Sequence, residues 1–256
     1  MLNNPAQFRP SDYTILVVDD DDALRGALLW DLKRKGFQTL EAENGEVAFQ
    51  KVQAQTVHLV LTDIRMPVCD GIELLRRLKD RNLDLPIVMF ISGFSDLSAE
   101  EASAQGAEAV FTKPFDRKVL LSTIQSAVQN KADRWSQPVS AGTPPPVHLQ
   151  SQFVSLDQAI ADQAFNLGRG GFYIQCLPST TGLTPNGNVN FKVEFTQAQP
   201  ALVEGAGRVL WVREEADSQG HPKGAGVEIL HLTETCLKPV LQWIETHQPR
   251  AWIPRH

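Results

Sequence analysis

Apolar and polar positions follow two rhythms along this chain. Up to about residue 130, short apolar runs at 15–18, 37–40, 57–61, 87–91 and 109–111 alternate with helical patterns. In "ALRGALLWDLKRKG", Leu24, Leu28 and Leu32 recur at i, i+4 and i+8, and Gly36 can close the helix in the left-handed conformation. "NGEVAFQKVQA", "GIELLRRLKDRN", "DLSAEEASAQGA" and "DRKVLLSTIQSAVQN" continue the alternation. Five strand–helix pairs in strict order predict a doubly wound five-stranded parallel sheet, an α/β unit with both faces covered. The runs are apolar throughout, as strands buried on both sides should be.

Residues 131–147 break this rhythm, and Pro144, Pro145 and Pro146 favour an extended spacer over a helix or a central strand. Beyond it the period becomes two. In "NVNFKVEF", Val189, Phe191, Val193 and Phe195 share one face, while Asn190, Lys192 and Glu194 share the other. "RVLWVREE" and "GAGVEILHL" read as further strands, and "ETCLKPVLQWIETH" as an amphipathic helix bent or begun at Pro239. The expected organisation is an α/β domain at 12–130, a proline-rich linker at 131–147, and a mostly antiparallel β-barrel with a C-terminal helix at 148–256.

Bulk properties narrow the classes. A chain of 256 residues with 42% apolar and 21% charged positions is long enough for two globular domains. The net charge is −6, and most of it lies in residues 1–130, which hold 14 basic and 19 acidic side chains. No basic patch invites nucleic acid, so a DNA-binding role is disfavoured. Cys69, Cys176 and Cys236 are odd in number and spaced for neither a metal nor a disulfide framework, which suits a reducing cytoplasm. No apolar run nears the ~18 residues needed to span a bilayer, and the N-terminus lacks the pattern of a secretory leader, so no membrane insertion is expected.

The chemistry gathers where the apolar runs end. Ligands of open parallel sheets bind beyond the carboxyl ends of the strands. There the chain places Asp19 and Asp20 after the first run, Asp63 after the third, Ser92 after the fourth and Lys113 after the fifth. Converging carboxylates call for a counter-charge, and an all-oxygen donor set suits Mg²⁺. With its charge compensated, Asp63 can attack phosphorus, while Lys113 and Ser92 bind the phosphoryl oxygens. Asp21 and Asp22 have a simpler reading, at the positive end of the first helix.

"ILVVDD", "DIRMPVCDG", "FISG" and "TKPF", in this order on these elements, resemble the receiver domain of two-component response regulators. The resemblance implies that Asp63 accepts a phosphoryl group from a histidine kinase. It also implies Mg²⁺ held by Asp20, Asp63 and the backbone carbonyl of Arg65, with Asp19 acting through water, and a cis Lys113–Pro114 bond. Ser92 and Lys113 would sense the phosphoryl group, and pairing of two receivers into a homodimer is a further option. One position departs from the family: Val110 stands where an aromatic switch residue is usual, and Phe111, one step on, points to the opposite face of the strand.

In the second half, "AFNLGRGGFYI" supplies a glycine turn whose N–H groups can approach an anion. With "GRVLWV" and "GAGVEILHL" it resembles a PilZ domain, Asn166, Gly168 and Gly171 filling the D/N-x-S-x-x-G positions with glycine in place of serine. PilZ domains are best known for binding cyclic di-GMP, which here would engage Asn166, Gly168, Arg169 and Gly171. That role rests on an upstream R-x-x-x-R pair able to fork onto phosphate and guanine, and no arginine lies between Arg134 and Arg169. The favoured expectation is therefore a cytoplasmic response regulator, not an enzyme, whose PilZ-like output domain contacts an unknown downstream protein. A cyclic di-GMP receptor is the alternative. His221 is expected to be solvated, and Trp211, Trp243 and Trp252 to pack.

Overall fold

The computed structural model describes residues 8–93, 97–139, 146–175, 182–197 and 200–256. Cys176, Pro144 and Pro145, named above, lie outside the described residues. The chain divides into two compact units. The first comprises residues up to 97 together with 107–129, and the second comprises 98–106 and 130–256.

In the first unit, strands β1 (Thr14–Val18), β2 (Gln38–Ala42), β3 (Leu59–Asp63), β4 (Ile87–Ser92) and β5 (Ala109–Thr112) form one sheet in the order β2-β1-β3-β4-β5. Every pairing is parallel. Helices α1 (Asp22–Arg34), α2 (Gly45–Ala54), α3 (Gly71–Arg81) and α5 (Arg117–Ala127) connect or follow the strands. On one face Ile15, Val17, Leu59, Leu61, Met89 and Ile91 pack with Leu28 and Leu32 of α1 and Leu120 and Ile124 of α5. The alternate residues Leu16, Val60, Val88 and Phe90 are equally buried, which explains the uninterrupted apolar runs. Phe111 packs against the α1/α5 side, the face expected from its register.

Local chemistry sets the helix ends. Asp21 caps α1, its carboxylate accepting from the N–H groups of Ala23 and Leu24 at 2.8 and 3.1 Å. Asp22 is the first residue of α1 and pairs with Arg25 one turn on. Gly36 takes φ +90° just beyond α1. Asn44 and Asp70 cap α2 and α3 in the same manner as Asp21.

Helix α4 (Ala99–Gln105) follows β4 in sequence but belongs to the second unit. That unit also contains α6 (Lys131–Ser136), β6 (Val147–Phe153), α7 (Leu156–Ala161), β7 (Phe165–Leu167), β8 (Gly171–Gln175), β9 (Asn188–Phe195), β10 (Leu202–Arg213), β11 (Gly224–Leu232) and α8 (Glu234–His247). The sheet order is β6-β9-β10-β11-β8-β7.

Two expectations change. The second sheet is a mixed, open half-barrel rather than an antiparallel closed barrel, because β6 lies parallel to β9 at one edge and β7 ends the other. The stretch "VHLQSQF" alternates apolar and polar positions, but nothing local in it selects a parallel partner over an antiparallel one. The stretch 131–147 is also not all spacer. It opens with α6, whose Trp135 is wholly buried in the second core, and it ends with the first residue of β6. That core joins Phe165, Phe172, Phe191 and Phe195 of the sheet to Val240, Trp243 and Ile244 of α8.

Candidate functional site

The strand order reverses between β1 and β3, since the chain leaves β1 for β2 and returns to β3 on the other side. Asp19 directly follows β1, and Asp63 ends β3, so both carboxylates stand at this switch point. Both residues are buried, whereas Asp20 is exposed beside them.

Lys113 joins the two acids. Its ammonium lies 2.5 Å from Oδ1 of Asp63 and 3.4 Å from Oδ2 of Asp19. The other oxygen of Asp63 accepts the N–H of Arg65 at 2.8 Å, and Oδ1 of Asp19 accepts the N–H of Asp21 at 2.9 Å. Burial pushes the Asp19 carboxyl above the usual range, and the nearby charge of Asp63 adds to this against the pull of the Asp21 amide and Lys113. Burial works against the charge on Lys113, but the carboxylates of Asp63 and Asp19 outweigh it and hold the ammonium above its ordinary value. The hydroxyl of Ser92 at the end of β4 donates to its neighbour's carbonyl, Gly93 O, at 2.8 Å. The Lys113–Pro114 bond is cis, as the resemblance implied.

A divalent cation is consistent with this donor set. The donors are oxygens, and a carboxyl whose ionisation burial disfavours gains from an added positive charge. Among the described residues no three acidic, histidine or cysteine side chains converge as a metal cage. Mg²⁺ needs none, since it keeps several waters and takes only one or two carboxylates.

Two positioning residues escaped the sequence reading. Arg25 donates to the carbonyl of Asp19 at 2.6 Å while pairing with Asp22, and the i, i+3 spacing of Asp22 and Arg25 was the available signal. Gly71 is the other. A Cβ there would stand 2.2 Å from the carbonyl oxygen of Asp63, so only glycine lets α3 begin directly beside the acid.

In the glycine turn of the second unit, the N–H groups of residues 168–170 donate to carbonyls of the chain itself. Arg169 N and Gly170 N donate to the carbonyls of Ala251 and Trp252 at 3.0 and 2.9 Å, and Gly168 N donates to Gly171 O at 2.7 Å. The amide of Asn166 donates to His256 O at 2.6 Å. Arg169 is 1% exposed, and its guanidinium reaches the carbonyls of Arg250 and Gly106. A Cβ at Gly170 would enter the ring of Trp252, and one at Gly171 would meet the carbonyl of Val227 at 2.0 Å. The glycines thus accommodate the chain's own segment 250–256 and strand β11. His221 is not simply solvated: it meets Asp217 at 2.6 Å and its ring lies 4.8 Å from that of His256.

Comparisons with known proteins match the residues of the first unit. The response regulator receiver domain family matches residues 15–125. The response regulator receiver protein CpdR of Brucella abortus (strain 2308) is 38% identical over 112 residues, 43% of this chain and 92% of that protein. The alkaline phosphatase synthesis transcriptional regulatory protein PhoP of Bacillus subtilis (strain 168) is 29% identical over 115 residues, 45% of this chain and 48% of PhoP. Among solved structures, a response regulator receiver protein from Pseudomonas putida aligns with 29% identity and a TM-score of 0.42, covering 46% of this chain and 96% of its own. The parallel sheet, the order of its strands and the 38% identity across nearly all of CpdR place this chain in the family of two-component response regulators, with its receiver domain at residues 15–125.

Proposed function

We propose that Asp63 is the phospho-acceptor of this regulator and that the second unit is a PilZ-like output module acting through protein–protein contact. The observation that carries the first part is the placement of Asp63 at the switch point, with Lys113 2.5 Å from one of its oxygens.

In the step itself, an oxygen of Asp63 attacks the phosphorus of a phosphohistidine on the kinase. The P–N bond breaks, its electron pair stays on the imidazole nitrogen, and that nitrogen takes a proton from solvent. The product is an aspartyl phosphate. Lys113 already touches the acceptor carboxylate and moves with little displacement onto a phosphoryl oxygen. The Ser92 hydroxyl exchanges its bond to Gly93 O for one to a second phosphoryl oxygen. Asp20, Asp63 and the Arg65 carbonyl would hold Mg²⁺, with Asp19 acting through water, and the bound cation would offset the charge on the transferred group.

For the second unit, a glycine turn leading into β8, a curled sheet and a closing helix support the PilZ-like reading. Cyclic di-GMP binding gains nothing from the geometry, because the turn's N–H groups already serve the 251–252 carbonyls. A small phosphodonor with Mg²⁺ should label the intact chain once, and Asp63→Asn should abolish the label. Labelling that survives the substitution would move the acceptor elsewhere. Calorimetric titration with cyclic di-GMP should give no heat, and saturable heat would restore the receptor reading.

A further inference from the structure

The half-barrel has two edges, and they are defended unequally. Strand β7 is three residues long, too short to template another strand. Strand β6 runs for seven residues, Val147–Phe153, and pairs with β9 from Val189 to Phe195 in one register without a bulge. Its other side carries no strand. The sheet does not close there: Phe153 meets Phe165 of β7 with ring centroids 5.9 Å apart, but no ladder joins β6 to β7. Edge strands of soluble proteins are usually kept single by lysine, proline, a bulge or brevity. Strand β6 has none of these, and its sequence, VHLQSQF, holds no Asp, Glu, Lys or Arg.

The two faces of β6 differ. Leu149 is buried in the second core, and Val147 and Phe153 pack against it. Ser151 shares this inner face, and its hydroxyl is buried without a hydrogen-bond partner. His148, Gln150 and Gln152 are exposed on the outer face. Antiparallel pairing about Gln150 matches the strand to itself. Val147 then stands opposite Phe153, Leu149 opposite Ser151, His148 opposite Gln152, and Gln150 opposite its own copy. Inner residues meet inner residues and outer meet outer, so the two cores lie on the same side of the joined sheet. A shift by one residue would set apolar against polar. The main chain of an added strand also comes within reach of the Ser151 hydroxyl, which is otherwise buried unsatisfied. Val154, 47% exposed just past the strand, comes beside Pro146 of the second copy.

We propose that the second unit self-associates through β6, two copies joining edge to edge about a two-fold axis at Gln150 to form one continuous sheet. A foreign strand is the weaker occupant, since β6 carries no acid, lysine or arginine by which to select one, whereas a second copy meets it residue for residue. The added ladder supplies partners for main-chain groups along the free edge. The pairing uses the same patch on both chains, so it closes at two and does not propagate. The contact lies wholly within the second unit and needs neither a phosphoryl group nor a nucleotide.

The test is sedimentation of the full chain over a concentration series at low salt. Wild type should pass from the mass of one chain to that of two. Gln150 is exposed, so a charge there should leave the single chain folded. Gln150→Lys and Gln150→Glu each set like charges face to face at the axis and should weaken association at least about tenfold. An equimolar mixture of the two variants should recover it. A wild type that stays a single chain throughout overturns the proposal. So does a dimer that neither charge weakens, since its contact then lies on another surface. Cysteine variants give a second readout, which decides the matter should a charged variant fail to fold. Oxidation should link Gln150→Cys chains in pairs, since directly opposite Cβ atoms lie about 4.5–5.5 Å apart. Gln152→Cys, which faces His148 in the pair, should not link. Equal linking of both variants, or of neither, overturns the pairing.

Discussion

The ammonium of Lys113 sits between two carboxylates, 2.5 Å from Asp63 and 3.4 Å from Asp19. It performs the compensation that a bound cation would otherwise provide. Lys113→Ala leaves two acids facing each other and should cost about 1–2 kcal/mol of stability. Millimolar Mg²⁺ should then raise the melting temperature of the variant more than that of the wild type, one cation replacing another. Equal increments in both proteins would show that ammonium and metal do not share a site.

Asp19 shows the conflict between stability and chemistry. It is 2% exposed, and burial raises its carboxyl pKa, so its charge is harder to hold here than in the unfolded chain. Asparagine keeps an oxygen for the Asp21 amide and removes the charge. Asp19→Asn should therefore raise the melting temperature by about 2–4 °C, while weakening Mg²⁺-dependent labelling at Asp63. A variant that melts lower would mean that the pairing with Lys113 outweighs the cost of burying the charge.

Two glycine substitutions should have opposite signs. Gly26 lies exposed in α1, and a Cβ there meets nothing within 4 Å, so Gly26→Ala should stabilise the first unit by about 0.5–1 kcal/mol. Gly171 starts β8 with the Val227 carbonyl 2.0 Å from any Cβ. Gly171→Ala forces β8 and β11 apart and should cost several-fold more than the gain at Gly26. Chemical denaturation of both variants measures the contrast. A tolerated alanine at 171 would reopen the case for a ligand as the reason for the motif.

The receiver half was readable because its signals are local and repeat. Each apolar run ends in the polar residue that reaches the rim, and Asp21, Asp70 and Gly36 mark helix ends by residue type alone. The second half was less legible for physical reasons. Parallel pairing of β6 with β9 is non-local, and β6 lies at an edge where polar residues are tolerated. Trp135 looked like linker because a single tryptophan carries no period, though burial in the core is what holds α6. The ion pairs of α4 join residues more than a hundred positions apart, Glu100 to Arg213 and Arg255, and no spacing rule connects them.

Asp217 offers a pH test confined to the second unit. Its Oδ1 accepts the N–H groups of Gln219 and His221, each at 2.9 Å, and its Oδ2 meets His221 Nδ1 at 2.6 Å and Arg255 at 3.2 Å. Burial pushes this carboxyl up, but the His221 ring and the two amides outweigh it and bring the pKa down to about 2. A depressed acid contributes stability above its unfolded value, near 3.8, and loses it as pH falls toward the folded value. Asp217→Asn keeps an oxygen for the amides and turns an amide donor toward Arg255. Its melting temperature should lie below the wild type by a constant margin from about pH 7 to about pH 5, and the margin should narrow as pH drops below about 4. A margin that stays the same down to about pH 3 would mean that the charge on Asp217 is not what stabilises this loop.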